Sequence, residues 1–329
     1  MSTRIQRRAL AALALAAALP AAALAQAGDA PAWPTRPLTL VIPYPPGGTS
    51  DVVGRQLAQR LREELGQSVI AENKAGAATA IGATAVARAP KDGYTLLLSA
   101  GTTFTVLPHL NDKLQYKLAD FEPVAVVCSV PFAFVVKKNF PARNMQEFIA
   151  HAKAHPGAIN NATNGQGSMV HLLGEMVATG LDIKLTQVHY KGAAPATMDM
   201  IAGVVDSNVE ALTSAVPNVN AGQYRALAVL SAERQPLMPN VPTFKELGYP
   251  SVMGETWYAV FAPAGTPRPV VDKLSAALRK ITTSASFREA MQKIGNEAKS
   301  GTPAELTELT VQQNRQWGDL IRRLNIKVE

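Results

Sequence analysis

Short apolar runs alternate along this chain with segments whose apolar residues recur every three or four positions, and that alternation narrows the possible folds most. Residues 38–42 (LTLVI), 69–72 and 94–99 (YTLLLS) are apolar runs too short for stable helices. Between them, 52–65 places Val53, Leu57, Leu61 and Leu65 four apart, with Gly66 at the helix exit, and 77–88 is rich in alanine. A strand apolar on both faces must be covered on both, which a parallel sheet clothed by helices achieves. Right-handed crossovers then give a doubly wound α/β unit.

The rest of the chain repeats the theme. Apolar runs stand at 124–127 and 132–136, joined through 128–131. The pattern predicts helices over 144–154 (Met145, Phe148 and Ile149 inward), 169–179 and 196–202, and strands over 159–163, 186–189, 207–210 and 224–230. A strand at 257–261 precedes Pro263, and helices follow at 270–283 and 287–294. The last helix, 303–324, starts with Thr302 as cap, Pro303 at the first helical position and Glu305 completing a capping box. The chain therefore builds two α/β blocks, leaving the first and returning to it, with crossings expected at 129–134 and 255–261. No internal repeat of 20–50 residues is present, which excludes solenoids and propellers. Two lobes joined by two crossings enclose a cleft, and ligands bind at the carboxyl ends of such strands.

The N-terminus bears on compartment. Arg4, Arg7 and Arg8 precede the apolar run 9–19, Pro20 breaks it, and Ala23-Leu24-Ala25 has the small-x-small form of a cleavage site. This is the pattern of a secretory signal peptide cut between Ala25 and Gln26. The expected organisation is signal peptide 1–25, linker 26–35, lobe one in two parts (36–130 and 255–329) and lobe two at 131–254. Removing 1–25 takes away three arginines and no acids, so the formal charge falls from +7 to +4. No Lys/Arg block suggests a nucleic-acid partner. Cys128 is the only cysteine, so no intrachain disulfide can form, and no cysteine at the cleavage site offers a lipid anchor.

Three strand-to-helix loops carry the candidate chemistry. The first, VIPYPPGGTSD, contains Tyr44, Pro45, Pro46, Gly47, Gly48, Thr49, Ser50 and Asp51. Prolines stiffen it, glycines admit φ > 0 and close approach, and Thr49, Ser50 and Asp51 are all good helix caps. The second holds Asn164, Gly165, Gln166, Gly167 and Ser168 ahead of His171, and the third is Ser99-Ala-Gly101-Thr102-Thr. Each offers backbone N–H groups and hydroxyls to a carboxylate or phosphate. Tyr190-Lys191-Gly192 follows another strand, with Lys191 as a counter-charge for an anion. Enzyme signatures fail. Gly165-x-Gly167 lacks the third glycine of a dinucleotide site, no phosphate-cradling GxxxxGK[ST] occurs, and Ser168 is not in a GxSxG elbow. His151 and His155, four apart on one predicted helix, have no acidic or thiol neighbour to complete a metal site. Neither a cofactor nor a metal is expected.

Taken in order, the residues resemble a known family. Trp33-Pro-x-Arg36-Pro, Pro43-x-Pro-Pro-Gly-Gly-x-x-Asp51, Glu72-Asn-Lys-x-Gly76 and Asp92-Gly-Tyr-Thr-Leu-Leu97 come first. Gly165-x-Gly-Ser-x-x-His171, Tyr190-Lys-Gly-x-x-Pro-Ala196, Arg225-Ala-Leu-Ala-Val229, Val241-Pro-Thr243 and Ala262-Pro-Ala-Gly-Thr-Pro267 follow. From Trp33 onward the chain resembles the Bug-type substrate-binding proteins, periplasmic receptors of tripartite tricarboxylate transporters. The resemblance implies a two-lobed periplasmic-binding-protein fold (type II-like) and a monomer that closes by hinge motion on a small organic carboxylate. It implies no catalysis, and large and small membrane transporter subunits as partners. The carboxylate would be held by backbone N–H groups, hydroxyls and water, with 45–51 and 99–102 as the first-lobe seat and 165–168 and 190–192 as the second. Asp51 is expected to cap its helix. Glu210 stands where a carboxylate facing the cleft would repel an acidic ligand end or accept from an amino or hydroxyl group. A receptor feeding a two-component sensor, or a secreted enzyme using Ser168, His171 or Lys191, are the alternatives. Valine at Gly47 or Gly48 should abolish binding with the fold largely kept.

Overall fold

The run LTLVI becomes strand β1 (Leu38–Ile42), paired in parallel with β2 (Val69–Asn73) on one side and β3 (Thr95–Ala100) on the other. The structure is a computed structural model describing residues 33–326. The expected signal peptide and residues 26–32 of the linker lie outside the described residues. The chain divides into Met1–Arg36 and Pro37–Glu329, and the fold is that of the second unit.

Helix α1 (Thr49–Leu65) leaves the first loop three residues earlier than the apolar period predicts. Gly48, at φ −85° and ψ 176°, takes the cap position, so Thr49, Ser50 and Asp51 form the first turn instead of preceding it. Gly66 closes the helix at φ 67° with its N–H on the Arg62 carbonyl. The alanine-rich stretch corrects the sequence reading. Ala77, Ala78 and Thr79 all have positive φ, and regular helix α2 spans only Ala80–Ala87. Alanine favours helix, but a Cβ on Gly82 would stand 2.7 Å from both the Lys74 carbonyl oxygen and Pro43 Cβ. That contact draws the helix against the β1 exit and leaves the turn before it to absorb the misfit.

The two apolar runs at 124–127 and 132–136 are one strand, β4 (Phe121–Lys137). Phe121 through Pro131 pair with β9 (Glu255–Pro263), which also pairs with β3; from Phe132 onward β4 pairs with β7 (Ser207–Ala211) and β8 (Tyr224–Val229). Pro131 lacks an N–H and sits where the strand changes partners, a place where proline is tolerated. β5 (Asn160–Thr163) joins β7 and β6 (Thr186–His189) in parallel, completing the path β2-β1-β3-β9-β4-β7-β5-β6. The short β10 (Glu297–Ala298) pairs with β4 opposite β9.

Short helices α3 (Thr102–Thr105) and α4 (Leu107–Leu110) follow β3. α5 (Met145–Ala154), capped by the Asn144 side chain, buries Met145 and Phe148 as its period requires. α6 (Met169–Gly180) follows β5, and α7 (Ala193–Ala202) begins three residues earlier than expected. α8 (Leu212–Asn220) carries Pro217 in its body, which hides it from a periodicity reading. α9 (Arg268–Thr283), α10 (Ala285–Lys293) and α11 (Pro303–Arg323) complete the chain, the last with the expected Thr302–Glu305 capping box. Helix α11 serves both cores. Leu306 packs with Phe104, Phe121 and Phe261, whereas Trp317, Leu320 and Ile321 pack with Phe134, Phe148 and Leu173.

Candidate ligand-binding site

Strand direction places the loops. β3 and β4 are both antiparallel to β9 between them, so β1, β3 and the first part of β4 run the same way. Their carboxyl ends meet near the level at which Ala100 and Cys128 both pair with Tyr258. β7 runs against β4 with Ala211 opposite Phe132, and β5 and β6 run with β7. The carboxyl ends of both halves are therefore directed at one another across Pro131–Phe132. Every loop singled out in the sequence leaves a strand at this junction.

In the first half two loops are tied together. The Tyr44 phenol oxygen accepts the Ala100 N–H at 3.2 Å, and its carbonyl accepts from Asn73 Nδ2 at 3.1 Å. Asp51 is buried and reaches back, accepting the Gly47 N–H at 3.0 Å and Arg55 Nε at 3.1 Å. It supports the helix start from its third position rather than as the cap itself. Burial opposes its ionisation, but Arg55, the Gly47 amide and Asn73 together hold the carboxyl below its ordinary value. Pro45, Pro46, Gly47 and Gly48 are exposed, and the first N–H groups of α1 behind them have no acceptor within the helix. The two glycines differ. Gly47 has φ 86°, Gly48 does not have positive φ, and neither would bring a Cβ within 4 Å of other atoms.

Ser99 is fully buried, its hydroxyl 2.6 Å from that of Thr103, which lies 2.9 Å from the Thr79 hydroxyl. Thr103, Thr79 and the Tyr116 phenol donating to the Thr103 carbonyl at 2.8 Å brace the Ser99–Thr102 loop from behind. Thr79 escapes sequence reasoning because it sits in an apparently helical run; the small-residue stretch after Gly76 is the one hint of a turn. Gly101 lies against Trp257, another residue the sequence does not mark.

The second half is built alike. Ser168 caps α6, accepting the His171 N–H at 3.2 Å. Gly165 (φ 128°) and Gly167 (φ 74°) turn the loop, and a Cβ on Gly165 would touch the Tyr190 carbonyl oxygen at 3.4 Å, so the two loops lie side by side. The Gly165 N–H donates to Thr163 Oγ1 at 3.3 Å and the Gly167 N–H to His171 Nδ1 at 3.0 Å. Asn164, Gly165, Gly167, Ser168 and Gly192 are partly exposed, whereas Gln166 and Lys191 are exposed. The Tyr190 phenol donates to Asp199 Oδ2 at 2.7 Å, against the first turns of α7. Glu210 is buried beneath that helix. Thr197 Oγ1 donates to its Oε1 at 2.8 Å and Oε2 is buried with no partner, so burial outweighs the Thr197 bond and lifts the carboxyl to about 7.

Two opposed sets of loops, each headed by a helix N-terminus and carried on separate sheets that share a strand, define a two-lobed solute-binding protein. Residues 53–326 match the family model of the tripartite tricarboxylate transporter family receptor, TctC. Protein BugT of Bordetella pertussis is 34% identical over 310 residues, spanning 94% of this chain and 95% of that one. The periplasmic binding protein BugD superposes with a TM-score of 0.81 at 36% identity, covering 90% of this chain and all of BugD. Rpa4515 of R. palustris, solved with adipate, gives a TM-score of 0.84 at 32% identity over 90% of this chain and all of that one. The chain belongs to the TctC family of receptors, the Bug-type solute-binding proteins, and is a receptor rather than an enzyme.

Proposed function

We propose that the protein binds a small organic carboxylate, with linear aliphatic dicarboxylates the leading class, at the junction of its two halves in the periplasm. It then hands the ligand to the large and small membrane subunits of a tripartite tricarboxylate-type transporter. The observation that carries this reading is the opposition of the loops after β1 and β3 to those after β5 and β6. One carboxylate meets Tyr44 to Ser50 and Gly101–Thr102 at the start of α1; the other meets 164–168 and 190–192, with Lys191 as counter-charge. Asp51, Ser99 and Glu210 act from beneath. Family membership, the adipate held by Rpa4515 and the N-terminal export pattern support it. Amides fixed before ligand arrives suit this task, because ordering them on binding would cost affinity. Hinge closure then traps the ligand as a shift between open and closed populations.

Thermal denaturation of refolded protein beginning at Gln26, with mono-, di- and tricarboxylates, tests the proposal. A ligand at 100 times its dissociation constant stabilises by about 2.7 kcal/mol, a clear rise in Tm. A selective rise with dicarboxylates supports the reading; a flat response across the panel overturns it.

A further inference from the structure

The ring of His171 lies behind the second-half loop, buried to 6 % exposure, and its contacts restrict its chemistry. Nδ1 accepts the Gly167 N–H at 3.0 Å, so that nitrogen carries no proton and the neutral ring is protonated on Nε2. Nε2 faces Glu175 Oε1 at 3.8 Å, too long for a hydrogen bond. The edge of the ring meets His189, with centroids 4.7 Å apart and planes at 78°. His189 Nδ1 is in turn 2.8 Å from Thr163 Oγ1, the atom that accepts the Gly165 N–H. Both glycine amides flanking Gln166 are thus anchored through one chain of two imidazoles and a hydroxyl.

We propose that His171 is a positioning residue of the binding site: its neutral imidazole, seconded by His189, fixes the 164–168 loop in its ligand-receiving shape, so acidification releases the loop and weakens binding. The proposal rests on the binding reading above. A proton on Nδ1 would set two donors against each other and end the Gly167 bond. A second charge on His189 would add repulsion at short range. The titratable groups against His171 are Glu175 on its own helix and His189 on β6; Gln187 on β6 bonds Glu175, and Thr163 on β5 bonds His189. Glu175 is the one acid among them, and burial raises its carboxyl despite a bond from Gln187, which limits the cation it can support. Burial, then the nearby His189, hold the His171 ring neutral down to about 4. Ligand and proton oppose each other, and by linkage a ligand that needs the ordered loop must lower proton affinity at His171 to the same degree.

Nitrogen-15 NMR of the histidine rings in unliganded wild-type protein comes first and needs no ligand. A protonated Nε2 with a bare Nδ1 at His171 near neutral pH is expected; a protonated Nδ1 overturns the proposal. Affinity for adipate is then measured by calorimetry between pH 7 and 3.5 for wild type, His171→Phe and His171→Asn. Phenylalanine keeps a ring without an acceptor and should weaken binding about tenfold at pH 7, one hydrogen bond's worth. Asparagine restores an acceptor near the Nδ1 position and cannot titrate. It should recover most of that loss and outbind wild type at the acid end, where wild type weakens about fourfold by pH 3.5 as the ring titrates near 4. Taking the ratio of wild type to His171→Asn cancels titration of the ligand and of Glu210. A ratio constant with pH, or wild-type affinity in His171→Phe, overturns the proposal. If wild type binds no carboxylate at any pH the binding reading fails, while the NMR result still decides the tautomer.

Discussion

Gly101→Ala tests how tightly the site leans on the core. An ideal Cβ would lie 2.5, 2.6 and 2.9 Å from Cε2, Cζ2 and Nε1 of Trp257, about 1 Å inside the separation at which carbon atoms pack. Gly101 sits at φ −52° and ψ −32°, so alanine adds no torsional strain and the cost is overlap alone. Neither partner yields readily. Trp257 is 2 % exposed, its Nε1 donates to Gln313 Oε1 at 2.8 Å, and the Gly101 N–H donates to the Trp257 carbonyl at 2.9 Å. Inserting a methyl group into such packing costs about 1–3 kcal/mol. Trp257→Leu ends before the overlapping atoms and by itself costs about 3 kcal/mol through lost packing. In that background Gly101→Ala should cost less than about 0.5 kcal/mol, giving a coupling of about 1–2 kcal/mol. Urea denaturation followed by circular dichroism reads this as shifts of midpoint at constant slope. Costs that add to within about 0.5 kcal/mol would refute the reasoning, because they would mean the loop and the indole do not compete for the same space.

Other expectations follow from single residues. Ala78→Gly, at φ 50° and ψ 43°, should raise stability by about 1 kcal/mol by removing a left-handed alanine; a lowered Tm would count against strain in that turn. Gly48→Val should leave stability nearly unchanged while weakening carboxylate binding, whereas Gly47→Val should lose both, since only Gly47 has positive φ; equal urea midpoints for the pair would sink this distinction. Glu210 holds its proton up to about 7, so its contribution is full at low pH and declines as pH rises through that value. Glu210→Gln should remove the decline, visible as a Tm difference from wild type that grows between pH 5 and pH 8. Asp51 has the opposite sign: its contribution is present above the ordinary carboxylate range and lost as pH falls through its lowered value, so Asp51→Asn should flatten the acid limb of the stability curve.

What the sequence disclosed was what local spacing encodes. The apolar period and Gly66 gave α1 within one turn, Thr302 and Glu305 marked the last helix, and β6 was legible residue for residue. The loop sets were legible for the same reason, since glycine, proline and hydroxyl residues stand between a strand and a helix. What escaped depends on partners distant in the chain. Residues 124–136 read as two runs because Cys128 to Pro131 look like a break, yet β9 and β7 straighten them into one strand. Ala77 to Thr79 read as helix on propensity, which is overridden by the approach of Gly82 to Pro43 and the grip of Thr103 on Thr79. The backing of the site by Trp257, Thr79 and Thr103 leaves no local signature, because each is an ordinary core residue until the fold brings it under a loop.

The shared strand also has a consequence for how the molecule is made. β3 emerges early in synthesis, but the strand that covers its edge is β9, with Ala100 waiting for Tyr258. Throughout the intervening elongation β3 presents unpaired N–H and C=O groups, the feature that lets nascent strands stick to one another. β4, which must be flanked by β9 at one end and β7 and β8 at the other, cannot be finished sooner. The edge of the first sheet therefore stays open until β9 has been made, late in the chain. Until then β3 offers an open edge to any other extended chain it meets, for most of the time the protein is being made.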